Sequence, residues 1–264
     1  MKILTLTDLE GVAGVVSFET QTYASGRYYE ESRRLLTAEI NAAVDGLLAA
    51  GAEDVLVSDG HGPGAVYFPD LHERARLIHG RPGAPRAVRD EYVAGFDAFV
   101  MIGQHAMAGA DRGNLNHTQN SRTTDYIKLN GKPIGEIAQA ALYFGDLGLP
   151  LVYLTGDEAA CREAAELVPG VVTAAVKQGL SRNSAISLSA PEARRRIREG
   201  AERALRAHRE KPLAPLVWEK PFLVERRFLQ SDVADGYGGR PGVERIDSQT
   251  IRRGSDDIRE VIYT

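Results

Sequence analysis

Apolar, β-branched runs recur along this chain, with helical stretches between most of them. KILTLTD opens it, and DVLVSDGHG, AFVMIGQHA and LPLVYLTGD follow. Between the first two lies YYEESRRLLTAEINAAVDGLLAAG, in which Leu36, Ile40, Ala43, Val44 and Leu47 form one apolar stripe at helical spacing. Gly51 stands where the C-cap of that helix is expected. Near-continuous apolar strands that alternate with helices predict an α/β fold, a mainly parallel sheet covered by helices.

The pattern changes after GQHA. MAGADRGNLNHTQNSRTTD has neither helical nor strand periodicity and reads as a long functional loop. Asn130-Gly131 in YIKLNGKPIG marks a tight hairpin turn. PIGEIAQAALYFGDLG begins a helix with Glu136 near its first turn. In SLSAPEARRR, Ser189 and Glu192 form a capping box around Pro191, opening a charged amphipathic helix. PLVWEKPFLVERRFL and GVERIDSQTI read as strands, and SDDIREVIYT as a short helix. The chain is expected to divide into residues 1–185, an α/β domain carrying the site, and 186–264, a smaller C-terminal α+β domain.

Each of the four apolar runs ends in ionisable residues beside glycine: Asp8 and Glu10, Asp59 and His61, His105, and Asp157. Ligands of open α/β sheets bind beyond the carboxyl ends of the strands, so these ends are expected to face one crevice. Asp8 and Glu10, two apart on extended chain, point the same way. Two carboxylates side by side repel unless a cation lies between them. With His61, His105, His117 and Glu136 they make a mixed nitrogen and oxygen set suited to Zn²⁺, Mn²⁺ or Co²⁺. A dinuclear site with one bridging carboxylate resolves the repulsion, and Asp8, nearer the strand end, is the better bridge. Gly11 lets the backbone turn away from the ions.

Each of these residues has an ordinary reading as well. Asp-x-Glu before glycine is also a turn signature. His61 also fits a loop histidine, His105 after an apolar run also fits a core histidine, and His117 in a polar loop also fits a solvated side chain. Glu136 also complements a helix dipole. Asp59 either orients His61 or caps a turn. His72, His79 and His208 read as surface residues, and Cys161, on a helix, as inert.

Composition narrows the class. At 43% hydrophobic and 26% charged, with no apolar run long enough to span a bilayer, the chain reads as a globular protein without a membrane partner. The start MKILTLTDLE carries no basic stretch ahead of an apolar one, so no signal peptide is expected. Cys161 is the only cysteine, which excludes an internal disulfide and fits the cytoplasm. A net charge of −4 disfavours nucleic acid as a partner. The arginines of EARRRIREGAERALRAHRE are interleaved with glutamates at helical spacing, as on a solvated helix face.

TDLEGVAG, SDGHG, GQHA, NHT, GKPIGE and TGDEAA, in this order and at these separations, resemble the D-aminopeptidase family of metallopeptidases. The likeness continues through VTAAVKQGLSRNSA and so covers most of the first 185 residues. The resemblance implies a binuclear zinc site with two zinc ions per subunit, ligated by Asp8, Glu10, His61, His105 and Glu136, and a catalytic His117. It further implies removal of N-terminal D-amino acids, typically D-Ala, from short peptides, and a homodecamer of two stacked pentamer rings around an enclosed chamber. Such enzymes are often encoded beside dipeptide-transport genes. This chain has NHT where the family carries a serine on each side of the histidine, and SDGH where it often carries NDSH. Those changes leave every ligand in place and bear on substrate preference.

Two rival readings fit the residues alone. A metal-dependent phosphoesterase also uses a carboxylate pair after its first strand, but the chain shows no Gly-rich phosphate loop and no well-placed Lys or Arg beside the carboxylates. A non-catalytic peptide-binding module linked to dipeptide uptake needs no histidine beyond the metal set.

Overall fold

The computed structural model describes residues 1–264. The first half of the chain forms β1 (Lys2–Thr7), α1 (Tyr29–Ala49), β2 (Asp54–Asp59), β3 (Ala75–Ile78), α2 (Arg86–Val93) and β4 (Ala98–Gln104). Then come β5 (Thr124–Leu129), β6 (Lys132–Pro133), α3 (Glu136–Asp146), β7 (Leu151–Asp157), α4 (Glu158–Leu167), β8 (Val172–Ser181) and β9 (Ser184–Ser187). The last part supplies α5 (Ala190–Glu210), β10 (Phe222–Phe228), α6 (Ser231–Asp235), β11 (Val243–Arg245), β12 (Thr250–Ser255) and α7 (Ile258–Val261).

The larger sheet has seven strands in the order β3-β2-β1-β4-β7-β8-β9. Its pairs are parallel except at the edge, where β9 returns antiparallel to β8. Alternation along each strand divides the core into two layers. Ile3, Val55, Val100 and Val152 pack with Leu36, Ile40 and Leu47 of α1 and Ile197 and Leu205 of α5. Leu4, Leu56, Phe99 and Leu154 face the other way, onto Ile137 and Ala141 of α3 and Ala160 and Ala164 of α4. This is the expected mainly parallel sheet covered by helices. Gly51 follows the helix as expected, with φ of 86°.

The smaller sheet is antiparallel, in the order β11-β12-β10-β5-β6. Asn130 and Gly131, at φ of 49° and 79°, make the expected tight turn between β5 and β6. This sheet draws on both sides of residue 185, since β5 and β6 come before it and β10, β11 and β12 after. Conversely, α5 lies past residue 185 yet packs on the larger sheet. From the smaller sheet, Ile127, Leu129, Phe222 and Val224 pack on Leu142 and Tyr143 of α3 and on Ile258 and Val261 of α7. Helix α3 is therefore covered by one sheet on each side.

The expected capping box at Ser189 does not form. Ser189 is the N-cap of α5 but its side chain makes no capping bond. Glu192 instead pairs with Arg195 and Arg196, each at 2.8 Å, because those guanidinium groups lie one turn away on the same exposed face.

Candidate metal centre

The carboxyl ends of β1, β2 and β4 open into one cavity of 870 Å³, lined by Asp8, Glu10, His61, Gln104, His117 and Glu136 among others. Asp8 and Glu10 follow β1, His61 follows β2 and His105 follows β4. His117 lies in the loop between β4 and β5, and Glu136 is the first residue of α3. The fourth strand end does not join them: the Asp157 carboxylate caps α4, accepting the Ala159 N–H at 3.1 Å.

Close approach of two backbones brings the first carboxylates to the histidines. The Asp8 N–H donates to the Ile102 carbonyl at 2.9 Å and the Gly11 N–H to the Gly103 carbonyl at 2.8 Å. That clamps the segment after β1 against the end of β4. His105 Nε2 then lies 3.1 Å from Asp8 Oδ2 and 3.5 Å from Glu136 Oε1. His61 Nε2 lies 3.3 Å from Glu10 Oε1, and His117 Nε2 lies 3.9 Å from Glu136 Oε1. The His105 and His117 rings stack, with centroids 3.9 Å apart and planes 15° from parallel.

Two backbone carbonyls set which ring nitrogens face the carboxylates. His105 Nδ1 donates to the Ala106 carbonyl at 2.9 Å, and His117 Nδ1 donates to the Leu115 carbonyl at 2.9 Å. Each neutral imidazole thus turns a bare Nε2 lone pair inward. In that neutral form the 3.1 Å contact from His105 Nε2 to Asp8 would set a lone pair against an oxygen, and His105 Nε2 makes no well-formed hydrogen bond. Glu10 Oε2 and His61 Nδ1 are likewise buried without partners. Groups of this kind are rare in folded proteins and mark a place where a further atom belongs.

The electrostatics say the same. Burial, with the charge of Glu10 added, pushes the Asp8 carboxyl up to about 7. Burial also opposes ionisation of Glu10, yet the facing His61, with His117 and His105, pulls that carboxyl well below its usual range. Burial works against a charged His105, but contact with Asp8 and the charges of Glu136 and Glu10 carry it up to about 10. His117 goes the other way, lowered by burial and by His105 beside it. The cluster therefore demands positive charge among its carboxylates, and a second proton on His105 meets that demand when nothing else does. A divalent cation displaces such protons when it binds. His105, His117 and Glu136, and separately Asp8, Glu10 and His105, present ligand atoms within 4.8 Å of one another. Imidazole and carboxylate donors of this kind suit zinc, manganese or cobalt.

Other residues have different places from those expected. Asp59 makes no hydrogen bond to His61; its two oxygens accept the Ala65 and Val66 N–H groups at 3.0 and 3.1 Å and fold the loop that carries His61. His208 is buried rather than on the surface, its Nδ1 accepting the Leu213 N–H at 3.0 Å, because α5 turns that face onto the larger sheet. His72 pairs with Asp45 at 3.3 Å and His79 stacks on Phe68. Cys161 is buried on α4. Arginines reach the cavity from distant segments, Arg81, Arg86, Arg89 and Arg122 among them. Arg81 bonds only backbone carbonyls, those of Asp59, Gly80, His61 and Gly62. Buried Glu39 and Lys177 and half-buried Glu163 also brace the site, and nothing in their local sequence announces it. Glu39 accepts the Ala13 N–H at 3.0 Å and Glu163 the Met107 N–H at 2.8 Å.

Known proteins resemble this chain along nearly its whole length. A family profile described as D-aminopeptidase matches residues 1–264. A D-aminopeptidase of Bacillus subtilis strain 168 is 32% identical over 263 residues, covering 98% of this chain and 93% of that protein. Among solved structures, the Zn-dependent D-aminopeptidase DppA from Bacillus subtilis, a self-compartmentalizing protease, superposes with a TM-score of 0.90 at 28% identity. That match covers 100% of this chain and 94% of the other.

Proposed function

The chain belongs to the D-aminopeptidase family, and from that premise we propose that it removes N-terminal D-residues such as D-Ala from short peptides at a dinuclear zinc site. Asp8, Glu10, His61, His105 and Glu136 are the residues that would hold the two ions, and His117 would be left for catalysis. One observation carries the reading: His105 and His117, stacked and each with Nδ1 tied to a backbone carbonyl, aim their Nε2 atoms at carboxylates delivered by other elements.

When bound, a zinc pair lowers the pKa of a shared water and polarises a scissile carbonyl. The protein's own groups supply the rest. The Ala106 carbonyl fixes the His105 ring so that Nε2 is always the ligating atom. The Leu115 carbonyl turns Nε2 of His117 inward in the same way, and the depressed pKa of that ring keeps it neutral and able to take up a proton. His117 is then placed to stabilise the tetrahedral intermediate or to deliver a proton to the leaving amine. The free α-amine of the substrate pairs with a carboxylate of the cluster, which sets exopeptidase register. A cavity of 870 Å³ suits a short peptide.

The assembly that goes with this reading is a homo-oligomer, a decamer of two stacked pentamer rings enclosing the sites. It is supported by the self-compartmentalizing relative. The setting is cytoplasmic, in keeping with a single cysteine, and no helix is long and apolar enough to cross a membrane.

Metal analysis paired with hydrolysis tests the proposal. Purified protein should carry about two zinc ions per chain and cleave D-Ala-D-Ala faster than L-Ala-L-Ala, with activity lost on chelation and regained on adding zinc. A well-folded protein that binds no metal refutes the site, and an equal rate on both dipeptides refutes the substrate class.

A further inference from the structure

The stretch VTAAVKQGLSRNSA supplies none of the candidate ligands, yet its side chains touch both segments that carry the site. It forms β8, the turn after it and the start of β9. Lys177, buried at 2% exposure, projects from β8 beneath the segment that follows β1. Its Nζ donates to the Glu10 carbonyl at 2.5 Å and to the Val15 carbonyl at 2.6 Å. The ammonium thus gathers the two ends of the turn on which Glu10 sits.

Arg182, exposed in the turn between β8 and β9, holds the loop of His117. Its carbonyl accepts the Leu115 N–H at 2.7 Å and the Asn114 Nδ2 at 3.1 Å. Its guanidinium donates to the Asn116 carbonyl at 3.2 Å and to the Ser121 carbonyl at 3.1 Å, so it bridges the loop across His117. The same guanidinium lies 4.8 Å over the Phe18 ring, and Phe18 meets the His117 ring edge-on at 5.5 Å.

The loop has a reason to need this. Leu115 and Gln119, each two residues from His117, have φ of 53° and 65°. L-residues disfavour that left-handed conformation, and it persists only where the surroundings over-determine it. The Gln119 N–H is fixed by Glu136 Oε1 at 2.7 Å and the Leu115 N–H by the Arg182 backbone carbonyl, which leaves the Arg182 guanidinium to tie Asn116 to Ser121 between them. The Leu115 carbonyl is the group that orients His117, and the Arg182 guanidinium holds the carbonyls of Asn116 and Ser121 on either side of that ring, so the side chain sets His117 through the loop.

We propose that Arg182 and Lys177 are positioning residues for the aminopeptidase site, Arg182 setting His117 through its loop and Lys177 setting Glu10 through its carbonyl. The inference rests on the function proposed above, and its test separates the two. In Arg182→Ala, kcat for D-Ala-D-Ala should fall about 10- to 100-fold, with KM and bound zinc unchanged within about twofold. Millimolar guanidinium ion should restore part of the rate, and Arg182→Lys should be intermediate. Hydrogen exchange of the peptide spanning residues 113–121 should speed up in Arg182→Ala with or without zinc. In Lys177→Met, zinc affinity measured against a competing chelator should fall about 10- to 100-fold; where that variant does not fold, Lys177→Gln carries the same comparison. Wild-type kcat with unchanged exchange in Arg182→Ala overturns the role of Arg182. A folded Lys177 variant with wild-type zinc affinity overturns that of Lys177. A wild-type protein that neither binds zinc nor cleaves D-peptides refutes the proposed function instead, while the exchange comparison still judges Arg182.

Discussion

Gly11→Ala tests whether the close approach behind the carboxylate pair builds the site. A methyl group at Gly11 would lie 2.0 Å from the Gln104 carbonyl oxygen, 2.4 Å from its carbon and 2.5 Å from the Gly103 carbonyl carbon. All three are backbone atoms, so no side chain can swing aside. Real contacts of this kind stay above 3.0 Å, so the two segments must part by at least the 1 Å difference. They are the segments that carry Asp8 and His105, now 3.1 Å apart. Overpacking of this type costs about 1–3 kcal/mol, and each kcal/mol lowers Tm by about 2–4 °C in a chain of this size. The effect on the site is larger, because a displacement of about 1 Å in a catalytic constellation costs on the order of 100-fold in rate. The assay pairs thermal melting with D-Ala-D-Ala hydrolysis at saturating zinc, with Gly95→Ala as control, where an added Cβ meets nothing within 4 Å. A Gly11→Ala protein with the activity and Tm of the control refutes the reasoning.

Three further outcomes follow from the geometry. His117→Ala should abolish turnover while zinc content stays at the wild-type value; loss of metal in that variant would make His117 a ligand. Asp59→Ala removes the acceptors that fold residues 60–66, so zinc affinity should fall about tenfold through His61, and an unchanged affinity in a chelator titration speaks against it. Glu39 gives a pH signature: burial, opposed by the Ala13 N–H and Lys177, pushes its carboxyl from 4.5 up to about 8. Between those values the native state holds a proton that the unfolded chain has released, so stability falls as pH rises, by up to about 1.4 kcal/mol per unit for this one group. Glu39→Gln keeps an acceptor for the Ala13 N–H but has no proton to lose. In zinc-free protein its Tm should decline less than that of wild type between about pH 5 and pH 8, and parallel declines refute the assignment.

The parts of the molecule legible in its sequence are those written in local pattern. Four apolar runs with polar ends located β1, β2, β4 and β7, and the stripe from Leu36 to Leu47 located α1. Pattern failed where an element buries little. Helix α2 buries only Val93, and the four residues of β3 include exposed Arg76, so neither shows an apolar face. Pairing between distant strands was also out of reach. The turn at Asn130 and Gly131 announces β5 and β6, but nothing near it names β10 as the neighbour of β5. The candidate site divides the same way. Its six principal residues stand at strand ends, in a long loop or at a helix start, where sequence reading looks for chemistry. Lys177 stands inside a strand, and only the packing of β8 under the turn of Glu10 turns an ordinary lysine into a buried one.

Glu136 ties the smaller sheet to the candidate site rather than leaving it beside it. Five of the six residues leave the larger sheet or the loop after β4, but Glu136 opens α3, directly after the β5–β6 hairpin of the smaller sheet. Ile137 and Ala141 of that helix pack on the larger sheet, and Ala138, Leu142 and Tyr143 pack in the core formed with the smaller one. The position of Glu136 is therefore fixed by both cores at once. Its Oε1 lies 3.5 Å from His105 Nε2 and 3.9 Å from His117 Nε2, and it accepts the Gln119 N–H at 2.7 Å. A shift of the smaller sheet would move α3, and with it one carboxylate against both stacked histidines and the strained loop between them. Substitutions at the buried face of that sheet, Val224 for example, should reach the candidate metal centre through α3 although they touch none of its residues.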